Sequence, residues 1–166
     1  MDTNGALNPG RRLAYAFIGL LVGDTALFLF LLQNAFRLRA ELLALHMGEP
    51  ARQVPYALEE FVFYVPFSLV GWLLVGLPIA IFFPARSITR LPWGLALLVG
   101  AALGPLALLI IFMLLAHGHL EFPRTFKGTG SLWAFSILVS TVSFGLYVAL
   151  LKGKSRWSSR PGHVSG

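Results

Sequence analysis

The chain has 166 residues, 57% of them hydrophobic and only 12% charged, with 13 Lys and Arg against 7 Asp and Glu. A soluble domain is about 45–50% apolar and about 25% charged, so this composition excludes a disordered chain, a nucleic-acid-binding module and an ordinary cytosolic domain. A mean hydropathy of +0.75 makes lipid the solvent for most of the chain. Cysteine is absent, which removes disulfides, thiolate metal sites, Fe–S clusters and Cys nucleophiles from consideration.

Spanning the roughly 30 Å hydrocarbon core takes about 20 mostly apolar residues in a helix. Four windows qualify: 13–36, carrying the single charge Asp24, then 61–83, 91–116 and 132–151, all uncharged. Because lipid offers no partner to backbone N–H and C=O groups, each window is expected to be a helix. The predicted fold is an all-α membrane protein, with four transmembrane helices in an antiparallel bundle spanning residues 13–151. Residues 1–12 and 152–166 are then tails. Arg11 and Arg12 precede the first apolar run as in an export signal, but the run is too long and lacks a small-x-small cleavage site, so it reads as a retained span.

Orientation follows the excess of Lys and Arg in short flanks. Arg11, Arg12, Arg86, Arg90, Lys152, Lys154, Arg156 and Arg160 fall on one side of a four-span chain, and Arg37, Arg39, Arg52, Arg124 and Lys127 on the other. The richer side is expected to be cytoplasmic, giving N-in/C-in, in the cytoplasmic membrane if the source is bacterial. The basic C-tail, with Trp157 among serines, reads as an unstructured segment attracted to anionic lipid. In the first loop the spacing of Ala35, Leu38, Leu42 and Leu45 continues the first helix toward the stop signals Gly48 and Pro50.

Asp24 is the most informative residue, because a carboxylate at the middle of a span costs several kcal/mol, of the order of 3, unless it is neutral or hydrogen-bonded. No Lys or Arg lies in any span. Ser136, Ser140, Ser143 and Tyr147 recur at helical spacing in the fourth span, and Ser140, Thr141 and Ser143 share the depth of Asp24. These four residues form the expected intramembrane polar site, either a hydrogen-bonded seam between helices or a proton- or cation-coupled centre. Pro105, after Gly104, frees the carbonyl of Ala101 nearby. Four short spans with a lone midplane carboxylate in the first resemble the small multidrug antiporters. That resemblance implies an antiporter with Asp24 at its core, although this chain has Asp where that family has Glu and has larger external loops.

Two further groups carry possible chemistry. His117, His119 and Glu121 follow the third span, with His46 and Glu49 on the same side, and His with carboxylate suits Zn²⁺ or another divalent ion. No HExxH spacing is present, and interfacial polar residues closing a helix are the simpler expectation. Glu59 and Glu60 open the second span, where acids in a first turn complement the helix dipole; general-acid chemistry on a lipid or isoprenoid is the functional alternative. The run from Pro55 to Glu59-Glu60-Phe61 is similar to the motif of membrane lycopene cyclases, with two extra residues between proline and acids. It lacks the Arg that follows paired glutamates in the abortive-infection and prenyl-protease family.

Gly19 and Gly23 lie four apart in the first span, as do Ala96, Gly100 and Gly104 in the third, and such faces let helices approach closely within a bundle or across a dimer. Thr129 or Ser131 is placed to cap the fourth helix. The sequence reads foremost as a non-enzymatic membrane subunit or scaffold without a cofactor. Its partners would be the bilayer, anionic lipid at the C-tail, and a second copy or another membrane protein, but not nucleic acid. The alternatives are the Asp24 transporter and an enzyme using Glu59 and Glu60.

Overall fold

A computed structural model describes residues 8–46, 48–115 and 130–158, with side chains as far as 153, and nearly all of them are helical. Four helical stretches are long and apolar enough to cross a membrane: Pro9–Leu45, Pro50–Phe82, Trp93–Leu115 and Gly130–Gly153. Their outward faces are large and apolar, as at Phe17, Leu29, Val62, Leu98 and Leu114, which suits side chains bathed in lipid tails.

Helix α1 (Pro9–Leu45) starts on Asn8, whose side-chain oxygen accepts from Gly10 N at 3.1 Å. Its 37 residues run for about 55 Å, well beyond a hydrocarbon core. It ends at His46, which sits at φ 53°, the left-handed conformation that closes a helix. The predicted extension past residue 36 is therefore a continuous helix, but its stripe stops packing early. Ala35 is buried against Val54 and Ala57, whereas Leu38 and Leu45 are exposed.

The second span is composite. A 3₁₀ turn (Pro50–Arg52) leads into α2 (Gln53–Gly71), a π turn (Trp72–Gly76) and then α3 (Leu77–Phe82). Leu77 N–H reaches back five residues to the carbonyl of Trp72. Pro78 explains the wider turn: it has no N–H, and its ring needs room against the carbonyl four residues before it. The chain continues through the short α4 (Ala85–Arg90) to α5 (Trp93–Leu115), and the last helix is α6 (Gly130–Ser158).

Three sequence expectations change here. Helix α2 begins at Gln53, so Glu59 and Glu60 lie nearly two turns inside it, exposed, rather than in its first turn. The 3₁₀ turn at Pro50 already commits the chain to a helical path before the apolar run begins. Helix α6 runs on to Ser158, so the start of the basic tail is helical, while residues 159–166 lie outside the described residues. Ser131 sits inside α6, one residue past its start, and Thr129 is outside the described residues.

Helix α6 is the hub, packing along both α5 and α1, while α2 packs on α1 and meets α5 over a shorter stretch. The glycine faces make these contacts possible within one chain. A Cβ on Gly19 would lie 2.6 Å from the Ser143 carbonyl oxygen, and one on Gly23 2.7 Å from that of Val139. A Cβ on Gly100 would lie 3.1 Å from the Ser140 carbonyl oxygen, and Ala96 below it is fully buried. Both small-residue stripes thus grip α6, one from each side.

Two apolar clusters form the core. One joins Leu27, Leu31 and Ala57 to Phe135 and Val139; the other joins Ala16, Ala80, Ile88 and Ala96 to Val148 and Leu151. At the second cluster's end, Arg12 Nη2 donates to the carbonyl oxygen of Phe83. Lys152 Nζ donates to that of Leu91 at 2.6 Å and lies 4.6 Å over the Trp93 ring. The beginning of α1, the linker carrying α4 and the end of α6 therefore meet, with cations capping carbonyls that end helices.

Candidate intramembrane cavity and its polar wall

Asp24 projects between α1 and α2 and is half-buried, and its Oδ1 accepts a hydrogen bond from Ser68 Oγ at 2.7 Å. Ser68 is 7% exposed, so the serine end of this interhelical bond is buried. The fourth-span hydroxyls expected as partners point elsewhere. Ser140 Oγ donates to the Ser136 carbonyl and Thr141 Oγ1 to that of Ile137, both at 2.6 Å and both within α6. The reason is azimuth. Gly23 presses its backbone onto Val139 and Ser143, so α6 occupies the face beside Asp24, and the next residue round the helix is turned toward α2. Ser136 and Ser140 face Gly104 of α5 instead. Shared depth placed these groups in one layer; it did not aim them at one another.

Within that layer the four spans line a half-open cavity of about 100 Å³. Its wall takes Ala16 and Leu20 from α1, Tyr64 to Ile79 from the composite second span, Leu103 to Leu108 from α5, and Ser136 to Tyr147 from α6. Ser68 lines it, so Asp24 stands one hydrogen bond behind the surface. Tyr64, packed edge-on against Phe135 with ring centres 6.0 Å apart, closes the side toward the first cluster.

Three residues that line the cavity also carry a polar atom buried without a hydrogen-bond partner among the described residues: Trp72 Nε1, Ser143 Oγ and Tyr147 OH. Tyr147 is only 3% exposed. A buried polar group left unpaired costs about 1–3 kcal/mol; Ser143 Oγ is turned onto Gly23 of α1, where a Cβ would collide with it. The π turn contributes to the same wall through Trp72, Val75 and Gly76; the Trp72 indole lies against Gly76, where a Cβ would come within 2.8 Å of it. Short π segments in α-helices recur at functional sites because they turn a side chain out of the regular register.

A second space, a wholly apolar groove of about 280 Å³, lies between Pro66, Phe67 and Val70 of α2 and Ile111, Leu114 and Leu115 of α5. Phe67 belongs to both linings and separates the groove from the cavity. Neither Pro66 nor Trp72 attracts attention in the sequence, where their window reads as a plain apolar run. The available signal is the close sequence of Gly71, Gly76 and Pro78, which marks an irregular helix.

The other candidate groups do not enter the cavity. Glu59 and Glu60 are exposed on α2 and line neither space. His117, His119 and Glu121 lie outside the described residues; among the described residues no three His, Asp or Glu side chains converge. Glu49 pairs with Arg52 at 2.6 Å. Comparison of the chain with protein-family models, with curated proteins and with solved structures finds no match.

Proposed function

We propose that this is a small non-enzymatic integral membrane protein that binds a small amphipathic molecule inside its own four-helix domain. The spans run antiparallel in this reading, with both termini cytoplasmic. The meeting of Arg12, the Phe83–Leu91 linker and Lys152 at one end supports that arrangement, as does the charge bias of the flanks. A reporter fused after Gly166 is expected to be active only in the cytoplasm; activity outside overturns the orientation.

The observation that carries the binding reading is the cavity itself, lined by all four spans with Ser68, Ser136, Ser140 and Ser143 among mostly apolar residues. Concave, mostly apolar sites with a few convergent polar groups are where small ligands bind. The expected result of extracting purified protein and analysing the extract by mass spectrometry is a stoichiometric lipid-soluble molecule. Val75→Trp, which puts an indole into the cavity from the π turn, should abolish its retention. Equal retention by the variant overturns the reading.

One observation favours a second reading, proton- or cation-coupled transport: Ser68 both bonds Asp24 and lines the cavity. A carboxyl one bond behind a binding surface can exchange a proton as the cavity fills and empties. The exposed Glu59 and Glu60 have no such enclosure, so no comparable support attaches to the lipid-enzyme reading.

A further inference from the structure

Independently of what the cavity holds, we infer that the linker helix α4 is a binding surface for the head group of an anionic phospholipid, with Arg86 and Arg90 taking its phosphate. Helix α4 is six residues long and set between prolines. The carbonyl of Pro84 accepts from Ser87 N at 3.0 Å at its start, and Pro92 follows Leu91 at its end. Successive residues of a helix turn by about 100°, so Arg86 and Arg90, four apart, share one face and Ile88 lies on the opposite one. Ile88 is 4% exposed and packs in the cluster of Ala80, Ala96, Val148 and Leu151, whereas both arginines are exposed. The buried isoleucine thus fixes the direction of the arginines, out of the bundle. The linker is also held at both ends, because Arg12 donates to the carbonyl of Phe83 and Lys152 to that of Leu91. Those two cations are positioning residues: they tie the basic face to α1 and α6.

Charge and depth together name the occupant. At the far end of the bundle arginines have acidic neighbours, with Arg37 on Glu41 at 2.9 Å and Arg52 on Glu49 at 2.6 Å. At the α4 end, residues 8–16, 82–93 and 150–153 include Arg11, Arg12, Arg86, Arg90 and Lys152 but no Asp or Glu. An anion from outside the chain is the complement that this face lacks. Phe82, Phe83 and Trp93, at the two ends of the linker, are exposed as well. Aromatic rings beside cations are the composition of the boundary between lipid and water, where phosphodiesters lie and acyl chains can cover the rings. The planar fork of arginine suits a phosphate, two N–H groups at a time. A phospholipid supplies both the anion and the apolar cover; a free phosphate supplies only the first.

The test is native mass spectrometry of the full-length protein in a neutral detergent, with dioleoylphosphatidylglycerol or dioleoylphosphatidylcholine added in equal amounts. Wild type is expected to bind the phosphatidylglycerol about 20- to 30-fold more tightly, from about 5-fold for each of two cations at an anionic head group. Arg86→Gln/Arg90→Gln should remove most of that preference while leaving phosphatidylcholine binding and the melting temperature in detergent unchanged. Lys154→Gln/Arg156→Gln/Arg160→Gln takes three charges from the tail and should keep most of the preference. The wild-type comparison and the tail variant leave α4 intact, so neither depends on the linker variant folding. Equal binding of the two lipids by wild type overturns the head-group assignment. A tail variant that loses the preference, or a folded linker variant that keeps it, overturns the placement on α4. Displacement of the lipid by millimolar glycerol 3-phosphate overturns the phospholipid in favour of a free phosphate.

Discussion

Gly104→Leu is expected to prevent assembly of the four-helix domain, and even Gly104→Ala should be strongly destabilising. A Cβ at this position falls on the Ser136 carbonyl oxygen and 2.5 Å from Ser140 Oγ. Neither obstacle can swing aside cheaply. The first is backbone, and the second is tied to that same carbonyl by a 2.6 Å hydrogen bond. Carbon atoms in contact sit about 3.5–4.0 Å apart, so α5 and α6 must separate along their most extensive contact. Added methylenes in a packed interior cost about 1–3 kcal/mol. In lipid, where helix association rests on close packing and not on hydrophobic expulsion from water, that loss falls directly on the interface. The leucine variant should therefore be recovered as aggregate, and the alanine variant should melt well below wild type in the same detergent, by fluorescence-detected size exclusion after heating. Gly153→Ala is the control: nothing lies within 4 Å of a Cβ there, and α6 is helical through it. Relief of glycine's helix cost, about 0.5–1 kcal/mol, should leave that variant equal to or slightly more stable than wild type. Equal tolerance at both positions would show that α5 and α6 do not pack as described.

What the sequence reveals and conceals divides along a physical line. Solvent and span number are legible because lipid demands long, uncharged helices, and the four windows coincide with four apolar helical stretches. The small-residue faces are legible too, since a spacing of four puts Gly19 with Gly23 and Gly100 with Gly104 on one side of a helix. Their partner is not: periodicity says that a face is smooth, not what lies against it. Asp24 shows the same limit. Its depth is readable, but its azimuth depends on how closely Gly23 meets α6, and that selects Ser68 over Ser140, Thr141 and Ser143. The cavity is a property of packing alone. Trp72, Ser143 and Tyr147 stand in different parts of the chain, and only the assembled helices show that these residues line one space.

Asp24→Asn is expected to preserve the fold and the bound molecule, whereas Asp24→Leu should destabilise the α1–α2 contact. The carboxamide oxygen of Asn can still accept from Ser68 Oγ, so the bond seen at 2.7 Å survives in neutral form. Leucine offers no acceptor and leaves the hydroxyl of Ser68, 7% exposed, without its partner. Serine has a fallback, the carbonyl four residues earlier on its own helix, which Ser140 and Thr141 already use in α6. The loss should therefore lie near the measured scale for interhelical bonds in membranes, about 0.6–2 kcal/mol. Ser68→Ala should cost at least as much, because the group it strands is the carboxyl, which has no comparable fallback. If the two side chains act as a pair, the Asp24→Leu/Ser68→Ala double variant should lose less than the sum of the single losses. The same Asn variant separates the two functional readings. A structural pair predicts ligand retention equal to wild type at every pH tested. A proton-coupled centre predicts that Asn, which cannot exchange a proton, removes any dependence of binding on pH and any uptake driven by a pH gradient in proteoliposomes. Loss of such coupling in a variant that remains folded would move Asp24 from the frame of the cavity to its working part.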